Sequence, residues 1–513
     1  MRVLAAAAAV VTSVLVMCTS AWSASPFGPK VDERVSAVAS TSAKSATLNV
    51  VVTGSDPARA VAAVGGTVVN TTSTMAVSAQ ITNSSLHALA ADSRVASIDA
   101  DIPAFPTATT VLGAPNATAV PYWSVDGAPT AWSAGLDGSG VSVAVIDSGV
   151  NAIPDFGGRL TQVVRKNQRG ATTTDTYGHG TFVAGVLGGS GVSGLYQGIA
   201  PGVKLYSLKV AESAGARSGD IIDAINWAVG DPGQRAGIKV IVIAANENTP
   251  TSYEGSLLDA AVEHAWRAGV TVVVAAGNIG PNATFFAPAN DPFVITVGAL
   301  DADGASAPAW SSSGRTPDGF GRPDLLAPGR HIVSALPAGT ALAGQAPMSN
   351  VLTPGYGMAN GTSFSAPQVA GAAALLLQRN PLLTPDQIKW LLETTGRPVQ
   401  GSNAPALDIA AALAYAGPLG NANAGIAPGN CVNPPKDDPC DALGSAYLNR
   451  FDWSAAASAN SAARAAASAY NAAATSDSDT SWNSSAYWNS SAYWNSSAYW
   501  NSSSYWNSSS YWN

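Results

Sequence analysis

Four residue types able to carry out acyl transfer stand in short glycine-bearing phrases of this chain. Asp147 lies in Val145-Ile-Asp147-Ser-Gly149, His179 in Gly178-His179-Gly180-Thr181, Asn278 in Ala275-Ala-Gly277-Asn278 and Ser363 in Gly361-Thr-Ser363-Phe-Ser-Ala-Pro367. A serine hydroxyl is a poor nucleophile at neutral pH unless a neighbouring imidazole takes its proton during attack, so Ser363 is the candidate nucleophile and His179 the candidate base. A carboxylate facing the other ring nitrogen holds the tautomer and stabilises the imidazolium; Asp147 fits that role. The tetrahedral intermediate needs preplaced donors, for which the Asn278 amide and the backbone N–H of Ser363 are candidates. Alone, each residue reads equally well as a strand-end turn, a structural imidazole, a turn residue or a helix cap. Their joint occurrence, each in its own phrase, favours the chemistry. His87, His264 and His331 lack such phrases and read as structural.

The elements that must position these groups alternate between strand-like and helix-like runs. Val141 to Ile146, Val240 to Ile243 and Val270 to Val274 are nearly continuous apolar stretches, as expected of parallel strands covered on both faces. Helix patterns fall between them at Gly219 to Val229 and Ser256 to Ala268. The expected fold class is α/β, a doubly wound and mainly parallel sheet, whose sites lie at the carboxyl ends of strands. Asp147 and Asn278 follow such strands, whereas His179 and Ser363 open helices predicted over Thr181 to Leu187 and Ser365 to Leu377, with Pro367 in a first turn that tolerates it.

The order Asp, His, Ser distinguishes one of three unrelated triad folds. With Gly198-Ile-Ala-Pro201, the phrase from Pro288 to Gly298 and that from Arg322 to Gly329, seven phrases occur in family order. From roughly Pro121 to Gly417 the chain resembles the subtilisin-like serine proteases of the subtilase family. The resemblance implies a serine endopeptidase acting on polypeptides through an acyl-enzyme. It also implies that Ala244, Ala245, Asn246 and Gly277 line the substrate pocket, with one departure: Ala244 replaces the family's serine and Asn246 its glycine. Asn246 is expected to restrict the backbone or narrow the pocket, and Glu247 to bring a negative charge near it. Calcium is implied by the resemblance alone. The chain has no EF-hand spacing or tight carboxylate cluster, Asp155 and Asp175 read as turn residues, and no metal ligand is assigned.

Outside the core, residues 1–24 read as an export signal, with an apolar run from Val3 to Met17 too short to span a membrane. Residues 45–103 carry a strand, helix, strand, strand, helix, strand pattern. This predicts a small α+β module, similar in its placement to the family's inhibitory propeptide. Residues 104–120 read as an exposed linker containing the maturation cleavage, 121–417 as the peptidase domain, and 418–481 as a linker and Ala/Ser-rich segment. Residues 482–513 form a six-residue Trp/Tyr repeat that reads either as a disordered tail trimmed during maturation, for which its Asn and Ser argue, or as a ladder for contact with a cell surface or polysaccharide. Cys431 and Cys440, the pair left after the leader, are expected to form one disulfide in an exported chain. Charged residues make up 11% of the chain, the net charge is −8, and no basic patch appears, which disfavours nucleic acid as a partner. The competing class is a secreted adhesin whose degenerate protease core only displays the tail.

Overall fold

Seven runs rich in β-branched and small apolar residues pair, all in parallel, into one sheet. Their order is Leu325–Pro328, Ile295–Leu300, Thr271–Ala275, Ile238–Ile243, Ser142–Asp147, Lys204–Lys209, Leu160–Gln162. Every residue of Ser142–Asp147, Thr271–Ala275 and Ile295–Leu300 is buried, which is why these strands show no alternation of polar and apolar residues. Two helix pairs cover the sheet: His179–Gly188 packs on Thr362–Arg379, and Ser218–Val229 on Leu257–Arg267. The chain builds outward from Ser142–Asp147 through Lys204–Lys209, then returns to add Ile238–Ile243 on the other side. This doubly wound α/β arrangement opens a crevice where the strand order reverses, with Asp147 and Ala244 at its rim. The computed structural model describes residues 26–429 except 74, 107, 110–118, 166–171, 192–195, 212–214, 250, 346–350 and 354. The leader, Cys431, Cys440, the Ala/Ser-rich stretch and the aromatic repeat lie outside the described residues.

The helix carrying Ser363 begins earlier than its sequence suggests. Gly361, at φ 150° and ψ 152°, serves as N-cap, so Thr362 is already helical and Pro367 falls in the second turn. There it offers no N–H to the carbonyl of Ser363. Burial of every residue from Thr362 to Leu377 outweighs that loss.

The N-terminal unit is a four-stranded antiparallel sheet in the order Thr67–Ser73, Ala76–Thr82, Thr47–Gly54, Val95–Ala100. Helices Pro57–Ala63 and Leu86–Ala91 pack on it. A further helix, Glu33–Thr41, precedes residue 45. Val35 and Ala39 from this helix join Val50, Val52, Leu86 and Ile98 in the unit's own hydrophobic cluster. With Val35 and Val38 as its only large apolar residues, this helix gives little periodic signal.

The segment expected to be an exposed linker is partly strand. Pro103–Pro106 is the middle strand of a three-stranded antiparallel sheet, between Ala216–Arg217 and Ala245–Glu247, and Ala104 is completely buried. Ala108–Thr109 then pairs with Asn360 and Gly361. Prolines at both ends of the first strand, which argue against a sheet interior, disguise it in the sequence. Above it the N-terminal sheet rests on the helix Ser218–Val229. Asn70 Nδ2 donates to Asp220 Oδ1 at 3.1 Å, Ser218 N–H to the Ile102 carbonyl at 2.9 Å, and Gly219 N–H to Asp101 Oδ1 at 3.1 Å. Gly219 keeps this approach close, since a Cβ there would lie 1.9 Å from Ser78 Oγ and displace that hydroxyl.

Candidate active site

Asp147 ends a buried strand and His179 begins a helix whose N-terminus points at it. Their side chains meet, His179 Nδ1 to Asp147 Oδ1, at 2.8 Å. The same oxygen accepts the N–H of Ser148 at 2.7 Å, which fixes the carboxylate before the imidazole is considered. Gly180 makes the meeting sterically feasible: a Cβ at that position would fall 2.1 Å from the Gly149 carbonyl oxygen and 3.0 Å from Asp147 Cβ. The imidazole is wholly buried, and Phe364 and Tyr177 lie beside it, at ring-centroid distances of 5.7 and 6.1 Å. Among the described residues its Nε2 has no hydrogen-bond partner.

Ser363 is the second residue of its helix, next to the Phe364 that packs on the imidazole. Its hydroxyl donates to the Ala244 carbonyl at 3.1 Å rather than to Nε2. Asn278 follows the strand Thr271–Ala275, and its Oδ1 accepts the N–H of Thr362 at 3.0 Å. That bond fixes which end of the amide is the acceptor and leaves the –NH2 end as the donor. Gly277, at φ 102°, donates its N–H to Thr362 Oγ1 at 3.1 Å, tying the turn to the same helix start. The strand end holding Asn278 and the helix end holding Ser363 are thus bolted together by two bonds.

Of the residues expected to line a pocket, Ala245 and Asn246 run opposite Pro103–Pro106, in the register Ala245 to Pro106 and Asn246 to Phe105, and Ala244 directly precedes that strand. Asn246 has no left-handed backbone, so replacing a glycine there introduces no strain. Its side chain turns back, donating from Nδ2 to the Ala275 carbonyl at 2.9 Å and approaching Gly277. The Glu247 carboxylate accepts Ser218 Oγ at 2.6 Å and faces Arg34 Nη1 of the N-terminal unit at 3.3 Å. Burial pushes the Glu247 carboxyl up to about 7 against the opposing pull of Arg34. Burial and the charge of Asp32 likewise raise Asp99, which faces the same guanidinium.

Two contributors escaped the sequence reading. Asp175 is 1% exposed and accepts four hydrogen bonds: from Ser148 Oγ at 2.8 Å, Gly178 N–H at 2.7 Å, Thr181 N–H at 2.9 Å and Thr181 Oγ1 at 2.6 Å. Ser148 Oγ in turn accepts the N–H of Gly180 at 3.0 Å. A single carboxylate therefore joins the Asp147 turn to the start of the His179 helix. The available signal was a carboxylate four residues before a helix-opening histidine.

Among the described residues no group of three or more His, Cys, Asp or Glu side chains is placed to hold a metal ion. One oxygen-rich buried cluster is filled by the chain's own cations. Lys389 Nζ donates to the Pro292 and Val294 carbonyls at 3.0 and 2.8 Å, Arg322 Nη2 to the Asp291 carbonyl at 2.7 Å, and both pair with Asp324.

The model of the subtilase family matches residues 138–407. The chain belongs to the subtilase family. It is 37% identical over 272 residues to the serine protease AprX of Bacillus subtilis, a match covering 50% of this chain and 61% of that relative. Over 294 residues it is 35% identical to subtilisin of Bacillus pumilus, covering 54% of this chain and 92% of that relative. Among solved structures it aligns with fervidolysin from Fervidobacterium pennivorans, a keratinolytic enzyme related to subtilisin. That alignment has a TM-score of 0.58 at 26% identity and covers 73% of this chain and 61% of the other. The chain thus spans less than two thirds of AprX and of fervidolysin.

Proposed function

We propose that this subtilase is an exported serine endopeptidase, made as a precursor that its own N-terminal unit keeps inactive. The observation that carries the reading is the buried 2.8 Å contact between His179 and Asp147 at the sheet's switch point, beside the helix start that presents Ser363. Asp147 holds the Nδ1–H tautomer, leaving Nε2 basic. The Ser363 hydroxyl turns from the Ala244 carbonyl to Nε2, gives up its proton and attacks the scissile carbonyl. Asn278 and the Ser363 N–H meet the oxyanion at a helix N-terminus, where the unpaired N–H groups and the helix dipole both favour negative charge. The imidazolium then protonates the leaving amine, and water resolves the acyl-enzyme with His179 again as base.

Self-inhibition follows from where the chain runs. Pro103–Pro106 lies in extended form against the strand Ala245–Glu247, and Ala108–Thr109 pairs with the strand leading into Ser363, so both segments lie along the walls of the proposed site. The maturation cleavage therefore falls between Pro106 and Ala108. Polypeptides are the substrates, the N-terminal unit is the inhibitor, and export rests on the leader sequence. No helix among the described residues is long and apolar enough to cross a membrane.

The deciding experiment compares the wild type with Ser363→Ala. The wild type releases a fragment whose new N-terminus is Thr107 or Ala108 and hydrolyses casein. The variant stays full length, with turnover lower by on the order of a million-fold. Processing of the alanine variant at wild-type rate would end the reading. Asn278→Ala is expected to mature slowly and to lose about 100- to 1000-fold in kcat, with KM little changed.

A further inference from the structure

Glu247 is buried on the cleft strand, yet the cation it faces comes from another part of the chain. Its carboxylate takes one neutral hydrogen bond, from Ser218 Oγ, and the Arg34 guanidinium at 3.3 Å. Arg34 belongs to the N-terminal helix Glu33–Thr41, where Asp32 at 3.0 Å and Asp99 at 3.5 Å hold it. When the N-terminal unit leaves, Arg34, Asp32, Asp99 and Asp101 leave with it. Glu247 stays beside Ser218. What remains is an acidic position that has lost its counter-charge, on the strand that a substrate backbone must pair with.

The register says which substrate residue would meet it. Glu247 lies directly opposite Ala104 in an antiparallel ladder. Directly opposite residues send their side chains to the same face, with Cβ atoms about 5 Å apart, and opposite charges there attract. Ala104 is too short to reach the carboxylate, so in the precursor Arg34 supplies the charge from the neighbouring unit. An arginine or lysine at the place of Ala104 would bring its cation to the same carboxylate along the substrate itself.

We propose that in the mature form Glu247 is a subsite for a basic side chain, selecting Arg or Lys at the substrate position that Ala104 occupies in the precursor. The inference rests on the proteolytic reading above and deepens it: the inhibitory unit and the preferred substrates satisfy one carboxylate in two different ways.

The test uses the mature enzyme and peptides with the sequence of residues 101–110, carrying alanine, arginine, citrulline or glutamate at the place of Ala104. Citrulline has the shape of arginine without its charge. The expected kcat/KM order is arginine, citrulline, glutamate, with arginine about tenfold above citrulline, the worth of one partly solvated charge-assisted hydrogen bond. In Glu247→Gln the arginine-to-citrulline ratio falls to near one. If that variant fails to mature, Glu247→Ala serves the same comparison. A wild-type ratio near one, or a tenfold ratio that survives loss of the carboxylate, overturns the assignment. Cleavage of no peptide, the alanine one included, would overturn the proteolytic reading and this inference with it.

Discussion

Asp175 and Glu247 are both buried carboxylates within the subtilase unit, and they are satisfied in opposite ways. Asp175 takes four hydrogen bonds from neutral donors, Ser148, Gly178 and Thr181, all within 27 positions of it and all in the same unit. Glu247 takes one neutral donor and leans on an arginine 213 positions earlier, in a different unit. A carboxylate ringed by its own backbone and hydroxyls is complete whenever the fold is formed. One balanced by a distant guanidinium is complete only while two units are docked, and separating the pair leaves charges that must find water or a new partner. On the proposed maturation, the contrast separates a permanent part of the molecule from a removable one: neutral hydrogen bonds tie the Asp147 turn to the His179 helix, while the N-terminal unit is held by hydrogen bonds such as that of Asn70 to Asp220 and of Ser218 to the Ile102 carbonyl, and by the Glu247–Arg34 pair.

Asp175→Asn attacks the permanent half and should have the largest effect. The amide keeps the shape but places an –NH2 against either Gly178 N–H or Thr181 N–H. The hydroxyls of Ser148 and Thr181 can rotate away, whereas a backbone N–H cannot. One unpaired buried donor plus the loss of charge-assisted bonds amounts to about 4 kcal/mol of unfolding free energy, read from urea midpoints. Because the lost bonds join the turn of Asp147 to the helix of His179, kcat should fall further than KM rises. An unchanged midpoint would mean that Asp175 fills space rather than tying the two segments, and the first half of the contrast would fail.

Much of that permanent half is legible in the sequence, and the reason is local. Val141 to Ile146 reads as a buried parallel strand because it is almost wholly apolar, within one residue of the observed Ser142–Asp147, and the glycines around His179 and Asn278 mark close backbone approaches. What the sequence hides depends on partners far away along the chain. Nothing around Pro103–Pro106 announces a strand, because the residues it pairs with lie more than a hundred positions on. The tie between Glu247 and Arg34 exists only after both units have folded and docked. Nor could spacing reveal that the Ser363 hydroxyl rests on the Ala244 carbonyl, since that is a choice of rotamer.

The removable half should betray itself through pH. Burial raises the Glu247 carboxyl from its ordinary 4.5 to about 7, so between those values the folded chain holds a proton that the unfolded chain has released. Where the native state binds more protons, stability falls as pH rises, here across the window from about 4.5 to 7. The full loss from this group is on the order of 3 kcal/mol. Measured on full-length chains also carrying Ser363→Ala, so that the proposed self-processing cannot intervene, the stability difference between Glu247 and Glu247→Gln forms should shift by that order between pH 4.5 and 7.5. A constant difference would show that Arg34 keeps the carboxylate charged throughout, and the interface would then be as permanent as the site.

A third carboxylate serves as the control. Asp56 lies in the N-terminal unit with its side chain 41% exposed and pairs at 3.8 Å with Arg59, itself 81% exposed. Its Oδ1 also accepts the N–H of Arg59 at 3.3 Å, capping the helix Pro57–Ala63. Water screens this pair, so its charge should contribute almost nothing, while the cap is worth about 1 kcal/mol. Asp56→Asn keeps the cap and removes the charge, and its urea midpoint should correspond to a change below about 0.5 kcal/mol at either end of the pH range. Asp56→Ala should lose the cap energy, equally at both. A pH-dependent cost for the asparagine variant would mean that charge matters in this unit whether or not it is buried. Burial would then no longer account for the behaviour of Glu247, and the distinction between the two halves would have to rest on the location of the partner alone.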